Sequence, residues 1–236
     1  MILKKVFILF IILFLPSLVY LFFSTGRHNF IHLPIYGERE GVRTTTDSSG
    51  KTHTDTIYHT IPPFKFTSQD GRTISDKTFD GKIYVANFFF ATCQSICPKM
   101  NTGMLHVQER FKDYKGLLFL SHTVDPAHDS VPVLAEYAKK IHADTSNWFF
   151  VTGDKKEIYE LGVHSYLLPV GEDALAEGGF MHSQNLVLVD KEKRIRGMYD
   201  GTSVNELEKL VDDIKTLVAE YETHNKDRNK ITVGHP

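Results

Sequence analysis

The chain has 236 residues and a formal net charge of −2, from 27 Lys+Arg against 29 Asp+Glu, with 42% hydrophobic and 24% charged residues. So balanced a charge excludes a general nucleic-acid binder, which needs a basic surplus or stripe. Two cysteines in all exclude a disulfide-stapled scaffold and any four-cysteine zinc or iron–sulfur site.

Val6 to Phe23 is an 18-residue run without charge. As a helix it reaches about 27 Å, close to the ~30 Å hydrocarbon core of a bilayer. Pro16 would kink such a helix without forbidding it in lipid. The run ends in Phe23-Ser24-Thr25-Gly26, without an A-x-A-like cleavage site, and no cysteine follows to accept a lipid. Lys4 and Lys5 hold the start on the cytoplasmic side. Residues 1–25 are therefore expected to be an uncleaved single-pass anchor with the soluble part outside; a cleaved signal peptide would leave the domain in the same compartment. An anchor that begins near Met1, with no Arg/Ser-rich transit peptide before it, points to a bacterial cytoplasmic membrane.

Residues 26–59 are polar, rich in Thr, Ser, Gly and His, and lack a sustained apolar period, so they read as a tether. From Phe64 the chain alternates strand and helix signals. Phe64–Thr67 and Arg72–Ile74 flank Gln69-Asp70-Gly71 and predict a hairpin. Ile83–Phe90 is a continuous apolar run, as in a strand covered on both faces. A helix follows from Pro98, with Met100, Met104, Val107 and Phe111 in a stripe. Leu117–Val124 predicts a second core strand, and a helix after Asp125-Pro126 turns Val133, Leu134, Tyr137, Ala138 and Ile141 inward. Trp148–Val151 predicts a third strand and Lys155–Gly162 a short helix. Gln184–Val189 and Ile195–Tyr199 predict a hairpin around residues 190–193. Val204–Tyr221 predicts the last helix, and a polar tail is expected from Thr223. This order predicts an α/β thioredoxin-like three-layer sandwich over residues 60–222, with an N-terminal β-hairpin extension and one transmembrane helix before it.

The chemistry concentrates on Cys93, Cys97 and His182. Cys93 directly follows the buried strand, and Cys97 lies four residues on, in the first turn of the next helix; that spacing puts both sulfurs on one helix face. Pro98 suits an early helical position. The helix N-terminus is expected to favour thiolate and lower the thiol pKa. Such a pair can form a disulfide or bind a soft metal. Disulfide oxidoreductases favour C-x-x-C, whereas here the spacing is C-x-x-x-C; thiolates with one imidazole make an open site for Cu(I). Among the 12 histidines, His182 precedes a strand after Gly178-Gly179, and its position alone leaves it open between a ligand and a structural residue.

The ordered segments Ala91-Thr92-Cys93-Gln94-Ser95-Ile96-Cys97-Pro98, Val124-Asp125-Pro126-Ala127-His128-Asp129 and Trp148-Phe149-Phe150-Val151-Thr152-Gly153, then a histidine before a hairpin, resemble the Sco/SenC family. The likeness covers roughly Pro62 to Glu222. It implies a membrane-tethered, thioredoxin-fold copper protein that helps metallate the Cu(A) centre of cytochrome c oxidase, with subunit II as partner. It implies copper, Cu(I) or Cu(II), on Cys93, Cys97 and His182, a supporting role for Asp125, and exchange with periplasmic copper or thiol-redox proteins. Gln94-Ser95 stands where many relatives have Pro-Asp, and Met181 where many have an acidic residue. A membrane-tethered thiol–disulfide oxidoreductase, which needs the cysteine pair but not His182, is the alternative.

Overall fold

The computed structural model describes residues 10–11, 14–18, 32–46, 50, 52–172, 180–181 and 183–233. The chain divides into two compact units, residues 1–31 and 32–236. In the first, residues 10–11 and 14–18 are helical, and the rings of Phe10 and Phe14 stack at 4.9 Å. The rest of the apolar run falls outside the described residues. Among those residues no helix is long and apolar enough to cross a membrane.

The second unit opens with a surprise for the polar segment. Arg39–Thr46 (β1) pairs antiparallel with Thr52–Tyr58 (β2). Threonines favour extended backbone, and because the ribbon exposes both faces no apolar alternation marks it in the sequence. Just before it, Leu33 is buried in the core and Tyr36 bridges to Ile195. The segment read as a tether thus holds a hairpin and a docked stretch of chain.

Lys65–Ser68 (β3) and Thr73–Ser75 (β4) form the predicted hairpin. Its turn works because Gly71 takes φ +77°, while the Asp70 carboxylate accepts from the Ser68 hydroxyl and the Arg72 N–H. After a short 3-10 turn at Asp76–Phe79 come Ile83–Phe89 (β5), Cys97–Arg110 (α1), Leu117–Thr123 (β6), Val131–Lys140 (α2) and Trp148–Thr152 (β7). Lys155–Glu160 (α3) runs on into a π-helical turn at Leu161–Ser165. Gly171–Glu172 (β8) pairs with Phe180–Met181 (β9), and Asn185–Val189 (β10) with Ile195–Asp200 (β11). The last helix, Val204–Val233 (α4), continues well past Tyr221. No Gly or Pro stops it before Gly234, so the expected polar tail stays helical through Val233.

The main sheet has the order β11-β10-β5-β6-β7-β3-β4. β5, β6 and β7 are parallel, and the outer strands are antiparallel to their neighbours. The period-2 pleat sorts the apolar runs onto two faces. Val85, Phe89, Phe119, Trp148 and Leu188 pack against α1, α2 and α4. Tyr84, Phe88, Leu120, Val151 and Val187 pack against α3, the π turn and Phe79. The layered α/β class read from the sequence is the one observed. A polar thread crosses the sheet: Trp148 Nε1 donates to Ser121 Oγ at 2.8 Å, and that hydroxyl donates to Asn87 Oδ1 at 2.6 Å.

Helices α1 and α4 meet at Gly103, where a Cβ would stand 2.8 Å from both the Gly201 carbonyl oxygen and the Leu207 side chain. Gly103→Val is expected to cost about 1–3 kcal/mol by forcing the helices apart, checked by urea unfolding. A variant within 0.5 kcal/mol of the parent on that order-of-magnitude scale would show that the crossing has slack.

Candidate metal centre

The cysteines stand where β5 leaves the sheet. Its parallel ladder with β6 closes at Phe89 opposite Thr123, with Val124 N–H donating to Phe89 C=O at 2.8 Å. The chain then turns, Cys93 N–H donating to Phe90 C=O at 3.2 Å, and α1 begins at Cys97 with Pro98 behind it. Cys97 is buried against Met100 and Met104, while Cys93 is half-buried and touches the cores of both faces. Both residues are thiols, and the Cys97 thiol is hydrogen-bonded to the Cys93 sulfur. Ser95 Oγ lies 3.9 Å from the Cys93 sulfur.

The expected lowering of the thiol pKa is reversed at Cys97. Its proton is held first by the hydrogen bond to Cys93 and then by burial, with Asp129 adding negative charge; a backbone hydrogen bond at Phe90 opposes them. A helix dipole worth about 0.3–1 kcal/mol is too small to win against these effects.

Asp129 was not singled out by the sequence, and it is the carboxylate that acts on Cys97. It is fully buried; Oδ2 accepts from Ala91 N–H at 3.0 Å and from the Thr123 hydroxyl, and Oδ1 lies 2.8 Å from His128 Nδ1. That contact raises the His128 pKa. Asp125 lies on the same loop, where its carbonyl accepts from Asp129 N–H at 2.8 Å and its charge acts on Lys155 and Tyr159 of α3. Asp125, His128 and Asp129 each bring one ligand-type atom within 4.8 Å of the others. Tyr137 of α2 accepts from Asn101 Nδ2 at 2.7 Å, and burial pushes its pKa up. Ala91, Cys93, Pro98, Asn101, Tyr137 and Ile141 line a surface cavity of about 290 Å³. Neither Tyr137 nor Asn101 carries a motif; only the packing of α2 on α1 reveals them.

His182 lies outside the described residues, as does the side chain of Met181. The register of β10 nevertheless shows where the adjoining chain arrives. Val187 stands opposite Ala86 and Val189 opposite Tyr84, so β10 begins at the end of the sheet where β5 finishes. Ser183, next to His182, is buried and accepts from Asn185 N–H at 3.1 Å. The sheet thus leads the chain beside His182 to the cysteine end. Two adjacent sulfurs make a donor pair that fits a soft, thiophilic metal.

A parallel three-strand core with a cysteine pair at its first strand-to-helix junction defines a thioredoxin-like thiol or metal protein. The SCO1/SenC family model matches residues 52–219, and the chain belongs to that family. The structure of a SCO1/SenC family lipoprotein from Bacillus anthracis is 31% identical, with a TM-score of 0.63 over 68% of this chain and 95% of that one. BsSco, a member of the Sco family of cytochrome c oxidase assembly proteins in which a disulfide switch has been identified, is 27% identical, with a TM-score of 0.60 over 67% and 93%. Copper-bound ScoI of Bradyrhizobium japonicum, 23% identical with a TM-score of 0.56 over 66% and 98%, shares the fold.

Proposed function

We propose that this protein is a copper-binding metallochaperone that delivers copper to the Cu(A) site of cytochrome c oxidase, holding it through Cys93, Cys97 and His182. The observation that carries this reading is the sulfur pair at the carboxyl end of β5, at the same end of the sheet as the start of β10. Thiolates suit Cu(I), and imidazole can serve Cu(I) or Cu(II). Asp125 supports the site from the neighbouring loop. The apolar run from Val6 to Phe23 acts as a single-pass anchor in a bacterial cytoplasmic membrane, with the domain outside, facing subunit II of the oxidase and periplasmic copper or thiol-redox proteins. Membership of the SCO1/SenC family supports the copper and oxidase-assembly reading of the domain.

The test is metal analysis of the reduced protein, wild type beside Cys93→Ser and His182→Ala. Stoichiometric copper in the wild type is expected, with about a hundredfold or greater loss of affinity on removal of a ligand; wild-type affinity in either variant would refute the assignment. Because Cys97 holds its proton above the ordinary thiol range, copper must displace that proton. Each copper taken up at neutral pH is expected to release at least one proton, and affinity to fall as pH falls. An indicator in weakly buffered solution reads this; uptake without proton release would contradict thiolate ligation.

A second reading, thiol–disulfide oxidoreductase, draws on the hydrogen bond between the two sulfurs. It predicts that His182→Ala still reduces a disulfide substrate while retaining no copper.

A further inference from the structure

β5 has to leave the sheet abruptly to put Cys93 over Cys97, and the residue that lets it do so is on another loop. The backbone ladder between β5 and β6 ends at the bond from Val124 N–H to Phe89 C=O. The N–H of Ala91 lies beyond that ladder, in a half-buried turn where an N–H without an acceptor is costly. The Asp129 carboxylate takes that proton at 3.0 Å, in place of a further backbone carbonyl. Its remaining capacity is used by the Thr123 hydroxyl, at the last residue of β6, and by His128 Nδ1 at 2.8 Å. With no exposed surface, the carboxylate is fixed on all sides.

Ala91 is two residues before Cys93, and the turn between them is closed by Cys93 N–H on Phe90 C=O. Cys97 is placed mainly by the packing of α1 into the core, with a hydrogen bond to the Phe90 backbone. The separation of the two sulfurs therefore depends on where the turn through Phe90 and Ala91 is held. We propose that Asp129 is a positioning residue for the Cys93–Cys97 pair, acting through the Ala91 N–H to keep the two sulfurs within reach of each other. This rests on the reading of that pair as the working site.

The test uses the full chain without metal. In glutathione buffers, two cysteine thiols and one oxidised glutathione give the Cys93–Cys97 disulfide and two reduced glutathiones. The equilibrium constant follows from alkylation and mass measurement. Asp129→Ala frees Ala91, spreads the sulfurs over many separations and should lower the constant about tenfold or more. Asp129→Asn keeps an oxygen for the Ala91 N–H and should stay within about threefold, a rescue that a bulk structural role would not show. Circular dichroism checks that both variants fold. If Asp129→Ala does not fold, Thr123→Val, which removes one prop of the carboxylate, takes its place and should lower the constant while Asp129→Asn does not. A folded Asp129→Ala within threefold of wild type overturns the proposal, as does Asp129→Asn falling as far as Asp129→Ala. Failure of the wild type to bind copper would overturn the copper reading and leave this constant untouched.

Discussion

Glu220→Ala is expected to lower the free energy of unfolding by about 3–5 kcal/mol, the cost of stranding a buried guanidinium. Arg196 of β11 is 5% exposed; it reaches Glu220 of α4 at 2.9 Å and Asp190 at 3.2 Å, and these two carboxylates are 8% and 0% exposed. The guanidinium also donates to the carbonyls of Leu33 and Pro34, at 2.8 and 3.1 Å, while Leu33 N–H donates to Glu220 at 2.8 Å. Glu220 thus holds both the cation and the incoming chain. Equilibrium urea unfolding measures the loss, and hydrogen exchange at the Leu33 and Tyr36 amides should quicken with it. Arg196→Met combined with Glu220→Leu should recover much of the stability, because apolar groups of similar size replace the pair and Asp190 keeps Arg194 at 2.7 Å. A loss below about 1 kcal/mol for Glu220→Ala would mean that the network is no stronger than surface ion pairs.

This clamp also fixes a polarity in the domain. Tyr36 bridges to Ile195, Ile195 pairs with Val189, and Val189 with Tyr84, all at the end of the sheet where β5 begins. Cys93 follows the other end of β5. Seven residues of strand, at about 3.3 Å each, put some 20 Å between the two ends. The stretch through Leu33 and Tyr36 is therefore held at the end of the sheet opposite the cysteines.

How much of this could be read from residues alone depends on how local the cause is. The run Ile83–Phe90 announced a strand buried on both faces, because covering both faces removes alternation. The spacing of Cys93 and Cys97 at its end announced the sulfur pair. The β1–β2 ribbon gave no such signal, since a hairpin exposed on both faces needs no apolar period. The extension of α4 to Val233 was hidden for a similar reason: a helix already anchored by Leu207, Leu210 and Ile214 needs no further stripe to continue. The pKa direction at Cys97 and the role of Asp129 were out of reach. The first follows from the hydrogen bond to Cys93 and the burial of Cys97, and the second from the parallel register that sets Phe89 beside Thr123 and brings the loop after β6 to the one carrying the cysteines. The sequence motif marks Asp125, whereas it is the charge of Asp129, a few residues on, that acts on Cys97.

His122→Leu is expected to stabilise the protein at every pH, and by a margin that widens as the solution becomes acidic. His122 of β6 is fully buried, and neither of its ring nitrogens has a hydrogen-bond partner. It stacks on Phe88 at 4.9 Å, with Phe66 at 5.4 Å and Tyr166 at 5.5 Å around it. Leucine is close in volume and strands no polar atom, so the gain near neutrality should be about 1–3 kcal/mol. Burial also pushes the His122 pKa down to about 3 from the usual 6.5. Between those values the unfolded chain binds a proton that the native state refuses, so stability falls as pH falls, by up to about 1.4 kcal/mol per unit for one proton. At pH 5 the histidine therefore costs about 2 kcal/mol more than at pH 7.5. Urea unfolding of both proteins at these two pH values reads the difference directly. Parallel losses in the parent and in His122→Leu would show that acid acts elsewhere; a variant that flattens the profile would identify His122, in the strand beside β5, as the acid-sensitive point of the fold.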